Sequence, residues 1–178
     1  MSPAIALLPG STLSPAQRTE LIGLCTRAYE EDFAPYFQHF GEATHVVATV
    51  AGRAVSHALW VARRLDYAGQ PLRTAYVEAV ATEPAEQGRG YATAVLRALA
   101  AALAAQDADY ELAALAPSDP AFYARLGWES WRGPLYARRG AVRQPTPDEE
   151  VMILRLPRTP PLDLTAPLTA PWRTGDVW

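Results

Sequence analysis

The sequence predicts one α/β domain built on a mixed, mostly antiparallel sheet with flanking helices, and three observations support this fold class. The chain has 178 residues, 49% of them hydrophobic, which suffices for one substantial core. Its first half contains three runs of alternating apolar and polar residues, the pattern of antiparallel strands with one face buried. A glycine-containing turn and an apolar helix then separate two strand-like runs, and such a crossover normally makes its two strands parallel.

Local signals in the first half predict an amphipathic helix followed by a strand meander. Ser14 and Pro15 open a helix that extends to about Glu31, with proline at its first position. The aromatic-rich run after it, residues 33–37, is expected to form a short helix or lid. Three predicted strands come next, at residues 45–50, 54–65 and 72–82.

The second half of the chain holds the crossover and ends in a proline-rich tail. Its predicted elements are, in order, a turn at 83–90, a helix at 91–105, a strand at 110–116, a short helix near Ser118, and strands at 128–138 and 150–156 joined by a connection at 140–148. From Pro157 onward, repeated prolines forbid regular structure and indicate an extended tail. The predicted organisation is one domain over 1–156 and a tail over 157–178.

Charge, cysteine content and hydropathy exclude several classes of protein. The formal net charge of -3 offers no basic field to a nucleic acid backbone. Cys25 is the single cysteine, so an internal disulfide or a thiolate metal cluster is excluded, and no metal is expected. Prolines break the N-terminal apolar run, and no apolar stretch reaches the roughly 18 residues that span a bilayer. We therefore expect a cytoplasmic protein with neither membrane nor nucleic acid as a partner.

The most informative stretch is Gln87-Gly88-Arg89-Gly90-Tyr91-Ala92, which lies between a predicted strand and a predicted helix. Glycines let the backbone approach a ligand closely, and free N–H groups at a helix N-terminus can cradle a pyrophosphate. An ordinary strand-to-helix turn is the alternative. A P-loop is excluded because no Gly-Lys-Ser/Thr is present, and the three-glycine loop of a Rossmann fold is absent too.

The meander, the strand and this loop together resemble the GNAT (GCN5-related N-acetyltransferase) superfamily over roughly residues 1–156. Gln87, Gly90 and Ala92 match the motif Gln/Arg-x-x-Gly-x-Gly/Ala. The resemblance implies a GNAT fold with a parallel strand pair splayed near Val80, and acetyl-CoA as cosubstrate in the splay. The implied cofactor-binding residues are Gln87, Gly88, Arg89, Gly90, Tyr91 and Ala92 for the pyrophosphate, and Val80, Ala81 and Thr82 beside the pantetheine.

Three separated segments show a closer similarity, to the aminoglycoside 2'-N-acetyltransferases. They are residues 76–81, residues 122–128, and the C-terminal Trp-Arg-Thr-Gly-Asp-Val-Trp of residues 172–178. The last segment is the most specific, because nothing in general protein structure calls for such a terminus. The resemblance implies an antibiotic-resistance enzyme. It would acetylate a primary amine, the 2'-amine of an aminoglycoside or a related amino sugar, by direct transfer in a ternary complex, with the tail folded into the substrate cleft.

Two residues are candidates for acid and base in this reaction. On an extended strand, Glu78 shares a face with Val80 and Thr82 and would project toward the cleft, where a carboxylate can deprotonate the incoming ammonium directly or through water. Tyr123 follows the crossover, near the family's position for the CoA sulfur, and its phenol would protonate the departing thiolate. The alternatives are a rim or ion-pair glutamate and a core or capping tyrosine.

Candidate acceptor-binding groups are carboxylates, which suit a polycationic sugar. By their charge, Glu30, Glu31 and Asp32 are candidates together with Asp176 and the terminal carboxylate of Trp178. The resemblance itself assigns Asp32 to a substrate-binding position, through the pattern aromatic-x-x-Asp-Phe. Trp172 and Trp178 are expected to bury apolar area and so to anchor the tail. An acidic helix end can also be a solvated face. The next acidic position of the family is replaced by the aromatic run around Phe37, which predicts a more apolar pocket.

Other readings of the sequence remain open. His57 lies in an alternating strand and is interpreted as a packed or cleft-facing side chain, with a base role as the lesser alternative. Cys25 lies away from every motif, which argues against an acetyl-cysteine intermediate. The rival functions are an amine or peptide N-acetyltransferase with a non-antibiotic substrate and a non-catalytic acyl-CoA sensor, the latter disfavoured because a sensor needs neither base nor acid. A homodimer is possible for this family.

Overall fold

The computed structural model describes residues 2–105, 109–174 and 177–178. Its helices are α1 (Pro15–Tyr29), α2 (Ala34–His39), α3 (Tyr91–Ala105) and α4 (Pro120–Ala124). Its strands are β1 (Ala4–Pro9), β2 (Thr44–Val50), β3 (Arg53–Tyr67), β4 (Gln70–Thr82), β5 (Leu112–Leu115), β6 (Glu129–Ser130), β7 (Leu135–Arg139), β8 (Val142–Pro145), β9 (Met152–Arg155) and β10 (Leu168–Pro171). The predicted α/β class with a mixed, mostly antiparallel sheet is confirmed.

The chain forms two compact units, of which the first comprises Met1–Val61 and Val77–Ala102. In this unit β1 pairs antiparallel with β2, and β2 pairs antiparallel with β3. Helix α1 begins at a capping box, because the Ser14 hydroxyl accepts from the Gln17 N–H while the Gln17 side chain accepts from the Ser14 N–H. It ends where Glu30 adopts a left-handed conformation at φ 57°. Its buried residues are Leu21, Leu24 and Cys25.

The second unit comprises Ala62–Tyr76 and Leu103–Trp178. Strand β5 pairs in parallel with β4 over Thr74–Tyr76, as the crossover predicts, and antiparallel with β9. Strand β10 pairs antiparallel with β3 and parallel with β7, and β8 pairs antiparallel with β7. Strands β3 and β4 contribute residues to both units.

Four parts of the predicted element order were wrong. The connection expected at 140–148 contains strand β8, because residues 142–145 pair antiparallel with β7. Residues 4–9 form strand β1 although prolines lie at and beside its ends, because their backbone pairs with one edge of β2. The single strand expected at 128–138 is two strands, β6 and β7, which pair with different neighbours. The tail is not devoid of regular structure, since its residues 168–171 form β10.

Gly133 explains the break between β6 and β7. A Cβ built on this glycine would lie 2.0 Å from the Ala166 carbonyl oxygen, so only glycine permits the close approach of the tail backbone here. Its N–H donates to the Leu164 carbonyl at 2.8 Å, and the Trp131 indole donates to Ala166 O at 2.8 Å. The tail is therefore held by hydrogen bonds from Trp131 and Gly133, which are distant along the chain. The prolines of the tail take no part in these bonds.

Among the described residues, no helix is long and apolar enough to cross a membrane.

Candidate active site

Strand β4 carries an irregularity at the position where the parallel pairing stops. Pairing of β4 with β5 is recorded up to Tyr76 and Ala114. Ala79, on the continuing strand, has φ 51°, a left-handed conformation that costs a residue with a Cβ roughly 1–2 kcal/mol. Such backbone strain concentrates at functional sites. Nothing local in the sequence signals it, because alanine is not a residue that favours this region.

Side chains of the first unit hold three successive carbonyl groups of β4. His57 Nδ1–H donates to Ala79 O at 3.0 Å, the Tyr29 hydroxyl donates to Val80 O at 3.0 Å, and the Ser56 hydroxyl donates to Ala81 O at 2.9 Å. The Ser56 hydroxyl also lies 2.8 Å from Thr82 Oγ1. The sequence did not predict these three hydrogen bonds. The alternation in β3 indicated only that the side chain of His57 faces inward.

Burial alternates along the last residues of β4, although Tyr76, which the period of two places on the same face as Glu78, is buried. Glu78, Val80 and Thr82 are partly exposed, whereas Ala79 and Ala81 are buried. The alternation therefore survives the irregularity, and Glu78 lies on the accessible side of the strand as expected from period two.

Residues Gln87–Ala92, named here the glycine loop, follow β4 and lead into α3. Gly88 has φ 74° and Gly90 has φ 80°, and a Cβ on either would meet no atom within 4 Å. The glycines are thus needed for their backbone conformation and leave open space above the loop. The Ala94 N–H bonds to Gly90 O at 3.0 Å, so the N–H groups of residues 91–93 precede the first helical hydrogen bond and have no acceptor within the helix.

The space beside the glycine loop is a cavity of about 390 Å³. Its lining consists of Ser2, Pro3, Arg89, Gly90, Tyr91 and Ala94. Arg89 pairs with Glu86 at 2.9 Å, and this ion pair holds the guanidinium at the loop. Open space, free N–H groups and a helix N-terminus are the arrangement that receives a phosphate.

An ion pair fixes the start of the segment that leads to the glycine loop. Arg27 of α1 binds both carboxylate oxygens of Glu83, with a shortest distance of 2.8 Å. The hydrogen bond from Arg27 holds the pKa of Glu83 below its usual range. The Glu83 N–H donates to Val55 O at 2.9 Å. These bonds tie the end of β4 to α1 and β3.

Two buried histidines form a hydrogen-bonded chain behind β4. His57 is 0% exposed, and its Nε2 lies 2.9 Å from Nδ1 of the buried His45. Burial lowers the pKa of His57 to about 3, helped by the neighbouring His45 and opposed by its bond to Ala79. Burial also lowers the pKa of His45 to about 4, with a smaller effect of Arg18. Both imidazoles are therefore neutral at physiological pH.

Cys25 is buried beside His57, with Sγ 3.6 Å from Nδ1. Burial raises the pKa of the Cys25 thiol to about 12, so the thiol is neutral and far from a reactive thiolate. This agrees with the expectation that Cys25 is a small buried side chain.

The acidic run after α1 takes part in local hydrogen bonds. Asp32 is exposed, and its Oδ1 accepts from the Ala34 N–H at 3.0 Å, which supports the start of α2. Glu31 accepts from the Tyr36 hydroxyl at 2.7 Å. The rings of Tyr29, Phe33 and Tyr36 stack in series with centroids 4.7 Å apart in each step. This stretch therefore presents aromatic rings as well as carboxylates, as the sequence indicates.

In the second unit, Tyr123 is held by the ends of α4. Asp119 caps the helix by accepting from the Phe122 N–H at 3.1 Å, and the Tyr123 carbonyl accepts from the Trp128 N–H at 3.2 Å. Tyr123 is 4% exposed. Burial raises its pKa to about 12, opposed by a hydrogen bond with Ser118. The phenol is therefore neutral and able to donate a proton.

The C-terminal segment is anchored by one of its two tryptophans. Trp178 is 4% exposed, and its indole N–H donates to Thr146 Oγ1 at 3.0 Å. Trp172 is 43% exposed and is covered on one face by Arg139, whose guanidinium lies 4.5 Å from the ring centroid. The expectation that both tryptophans are buried was thus wrong for Trp172, which lies directly after the edge of β10. Asp176 lies outside the described residues.

The predicted site residues therefore divide between the two units. The first unit contains Asp32, Glu78, Val80–Thr82 and the glycine loop. The second contains Tyr123 and Trp178.

Comparison with known proteins agrees with this geometry. Residues 13–131 match the model of the acetyltransferase (GNAT) domain. The chain is 39% identical over 158 residues to the aminoglycoside 2'-N-acetyltransferase of Mycolicibacterium fortuitum, covering 85% of this chain and 80% of that protein.

Solved structures of similar fold have low sequence identity. A GNAT family N-acetyltransferase of Escherichia coli, YhbS, solved in complex with CoA, matches 95% of this chain and 89% of its own at 18% identity, with a TM-score of 0.68. A conserved Enterococcus faecalis protein, a probable N-acyltransferase, matches 74% of this chain at 19% identity and a TM-score of 0.60. The chain spans 33% of the length of that second protein. At these identities, the structural similarities show the fold alone.

Proposed function

The chain belongs to the GNAT acetyltransferase family, and we propose that it acetylates the 2'-amine of an aminoglycoside or a related amino sugar. The observation that carries the proposal is the 39% identity, over 85% of the chain, to a protein named as an aminoglycoside 2'-N-acetyltransferase. The family membership itself supports acetyl-CoA as the acyl donor.

The glycine loop is the proposed pyrophosphate site. Its residues Gln87, Gly88, Arg89, Gly90, Tyr91 and Ala92 lead into α3, where the N–H groups of Tyr91 and Ala92 have no acceptor within the helix, and the cavity of about 390 Å³ lies beside them. The donor chemistry suits a phosphate, because backbone N–H groups and a helix N-terminus are favourable to negative charge. The pantetheine arm is proposed to run beside Val80, Ala81 and Thr82.

The thioester carbonyl is proposed to accept from the Val80 N–H. Hydrogen bonds to the carbonyls of Ala79, Val80 and Ala81 orient this stretch of β4 before any ligand binds. A donor that is fixed in advance stabilises the negative charge that develops on the thioester oxygen as the amine attacks.

Glu78 is the proposed general base. The 2'-amine is mostly protonated at neutral pH, and only the free amine attacks, so the carboxylate must take its proton directly or through a water molecule. The nitrogen then bonds to the thioester carbon and loses its second proton to solvent, the carbon–sulfur bond breaks, and the sulfur leaves with the electron pair. The partly exposed position of Glu78 on β4 is consistent with access to this ammonium.

Tyr123 is the proposed general acid, which transfers its phenolic proton to the departing sulfur and is reprotonated from solvent. Its raised pKa, about 12, keeps the phenol protonated at neutral pH, so that the proton is present when the sulfur leaves. The products are the amide and the thiol form of CoA.

Direct transfer in a ternary complex is favoured over a covalent intermediate. The candidate nucleophile for a covalent route is Cys25, which is 0% exposed and has a pKa near 12. A thiol in this state attacks a thioester poorly.

Asp32, Asp176 and the terminal carboxylate of Trp178 are the proposed ligands for the acceptor's ammonium groups. Asp32 has an exposed carboxylate, and the indole of Trp178 anchors the terminus. Several carboxylates around one ligand attract a polycation by charge-assisted hydrogen bonds.

A second candidate is an amine acetyltransferase whose acceptor is less charged and more apolar. The stack of Tyr29, Phe33 and Tyr36 favours it, because three rings beside Asp32 offer apolar and cation–π contact to a single ammonium.

The deciding experiment measures thiol release from acetyl-CoA with matched aminoglycosides that carry either an amine or a hydroxyl at the 2' position. Turnover confined to the 2'-amino members supports the proposal. Turnover of simple aromatic amines but of no aminoglycoside would favour the second candidate. Saturable acetyl-CoA binding without turnover on any amine would favour a sensor.

A further inference from the structure

The fully buried His57 is the group that supports the strained residue of β4. We propose that His57 is a positioning residue for acetyl transfer: its Nδ1–H holds the Ala79 carbonyl, and this keeps the Val80 N–H directed at the thioester. The inference rests on the proposed role of Val80 above. It adds a residue of β3 that lies apart from every motif in the sequence.

The Ala79 carbonyl accepts a hydrogen bond from a side chain at the irregular position of β4. Ala79 is buried and left-handed, and the recorded pairing of β4 with β5 ends before it, at Tyr76. A buried carbonyl without a donor costs roughly 1–3 kcal/mol, which would add to the cost of the left-handed conformation. The 3.0 Å bond from His57 removes the first cost and so allows the second to be tolerated.

The tautomer of His57 follows from its partners. A carbonyl oxygen can only accept, so the proton of the neutral ring must be on Nδ1. Nε2 of His57 is then an acceptor, and the proton of the 2.9 Å bond must come from Nδ1 of His45. The chain therefore runs in one direction, from His45 through His57 to the Ala79 carbonyl.

Packing alone does not explain a histidine at this position. Phe37 packs against the ring with centroids 6.0 Å apart, Cys25 lies on the other side, and Arg18 is the charged group whose field reaches His45. A phenylalanine would fill this space without the cost of burying two ring nitrogens. Only a histidine at this position supplies both a rigid N–H donor for the Ala79 carbonyl and a ring nitrogen that accepts from His45.

Three substitutions of His57 test separately its donor for the Ala79 carbonyl, its contact with His45 and its volume. Asparagine carries its N–H₂ at the distance of Nδ1, so His57→Asn retains a donor for Ala79 and loses His45. Glutamine carries its amide at the distance of Nε2, so His57→Gln retains a partner for His45 and loses the Ala79 bond. His57→Phe retains the volume and neither bond.

Steady-state kinetics with acetyl-CoA and the best 2'-amino acceptor give the first measurement. We expect kcat to fall about 10- to 100-fold in His57→Gln and His57→Phe and by less than about threefold in His57→Asn, while CoA affinity by calorimetry stays within about twofold. A double variant, which combines His57→Gln with Ala79→Gly, gives the second measurement. Glycine adopts φ 51° freely, so the double variant is expected to recover much of the lost kcat. Equal kcat in all variants, or equal losses in Asn and Gln without rescue by glycine, would overturn the proposal.

Nuclear magnetic resonance of the wild-type protein tests the same idea without an acceptor and without a variant that must fold. Nitrogen-15 shifts of His57 are expected to show a protonated Nδ1 and an unprotonated Nε2, and the reverse tautomer overturns the proposal. The Val80 amide is expected to shift with acetyl-CoA more than with CoA in wild type and His57→Asn, and equally with both in His57→Gln. A Val80 response in a protein that turns over no amine would retain the inference while the proposed acceptor fails.

Discussion

The glycine loop and the C-terminal segment differ in what builds them. The loop consists of backbone groups set by two neighbouring glycines at φ 74° and 80°, and its partner groups lie within a few residues. The C-terminal segment is held by contacts between distant parts of the chain, such as the Trp178 indole on Thr146 and the tail backbone on Gly133. A site made of backbone depends on few side chains, whereas a site made of side chains depends on many long-range contacts.

Under the proposed function, the two regions bind different parts of the reactants. The loop suits a ligand part that every acetyl transfer shares, the pyrophosphate of CoA. The C-terminal segment suits the part that varies, the acceptor. Substitutions in one region are then expected to change the constants of one ligand and to leave those of the other unchanged, whereas substitutions of the proposed base Glu78 and the proposed acid Tyr123 are expected to change turnover.

The largest effect is expected from Glu78→Gln, which keeps the shape of the side chain and removes its basicity. Turnover should fall 10²–10⁴-fold because the ammonium is no longer deprotonated in the complex, while acetyl-CoA affinity stays unchanged. The measurement is kcat by thiol release together with calorimetry. Raising the pH should recover part of the loss, since more acceptor is then already neutral. A variant with near-normal kcat would leave Glu78 as a rim residue.

Tyr123→Phe is expected to follow, with a loss of kcat of roughly 10²–10³-fold, because the thiolate then leaves without a proton donor. The ring and its contact with Trp128 are retained, so the melting temperature should change little. A matched control is Tyr110→Phe in the same unit, which is expected to leave kcat unchanged. Equal kcat in the two variants would make Tyr123 a core tyrosine.

Gly90→Asp is expected to weaken acetyl-CoA binding roughly 100-fold. The substitution forces an aspartate to φ 80° and brings a negative charge to the proposed phosphate site, and about 2.7 kcal/mol corresponds to this factor. Gly90→Ala carries the strain without the charge and should weaken binding less. Calorimetry of both gives the comparison, and unchanged affinity in a folded Gly90→Asp protein would remove the glycine loop from the CoA site.

Acid sensitivity should report on the buried histidines. An unfolded histidine takes up a proton near pH 6.5, whereas the pKa in the folded protein is about 4 for His45 and about 3 for His57. Stability is therefore lost as the pH falls from 6.5 toward these values, by ~1.4 kcal/mol per pH unit for each histidine, or roughly 2 kcal/mol each at pH 5.

Urea unfolding at pH 7.5 and pH 5.0 measures this loss. His57→Asn is expected to reduce the histidine-dependent part by about half, because one of the two buried titrating groups is gone. His39→Asn, on the exposed face of α2, is the control and should retain the wild-type difference. The same pH difference in His57→Asn as in wild type would show that His57 does not bind a proton on unfolding in this range.

The smallest effect is expected from removing residues 176–178. Loss of the terminal carboxylate and of the Trp178 anchor should raise the acceptor KM about tenfold and leave acetyl-CoA affinity unchanged. A two-residue C-terminal extension is the matched control, since it retains Trp178 and displaces only the carboxylate; it should raise KM by a similar factor. Unchanged acceptor kinetics in both would make the tail a structural anchor.

The sequence by itself determined the features that depend on neighbouring residues. The start of α1 at Ser14 and Pro15, the alternation that leaves Glu78 accessible, the glycine loop and the helix after it were all predicted, because helix starts, strand period and glycine conformations are short-range properties. The family motifs added the acetyl-CoA donor, since they too are contiguous.

Tertiary structure decided the features that need a partner distant along the chain. The left-handed Ala79 depends on His57 from another strand, β10 forms because β3 and β7 leave a place between them, and Trp172 is exposed while Trp178 is buried. An alanine, a proline-rich tail and two similar tryptophans carry no local signal of these outcomes. Each is set by hydrogen bonds and burial that only the folded chain provides.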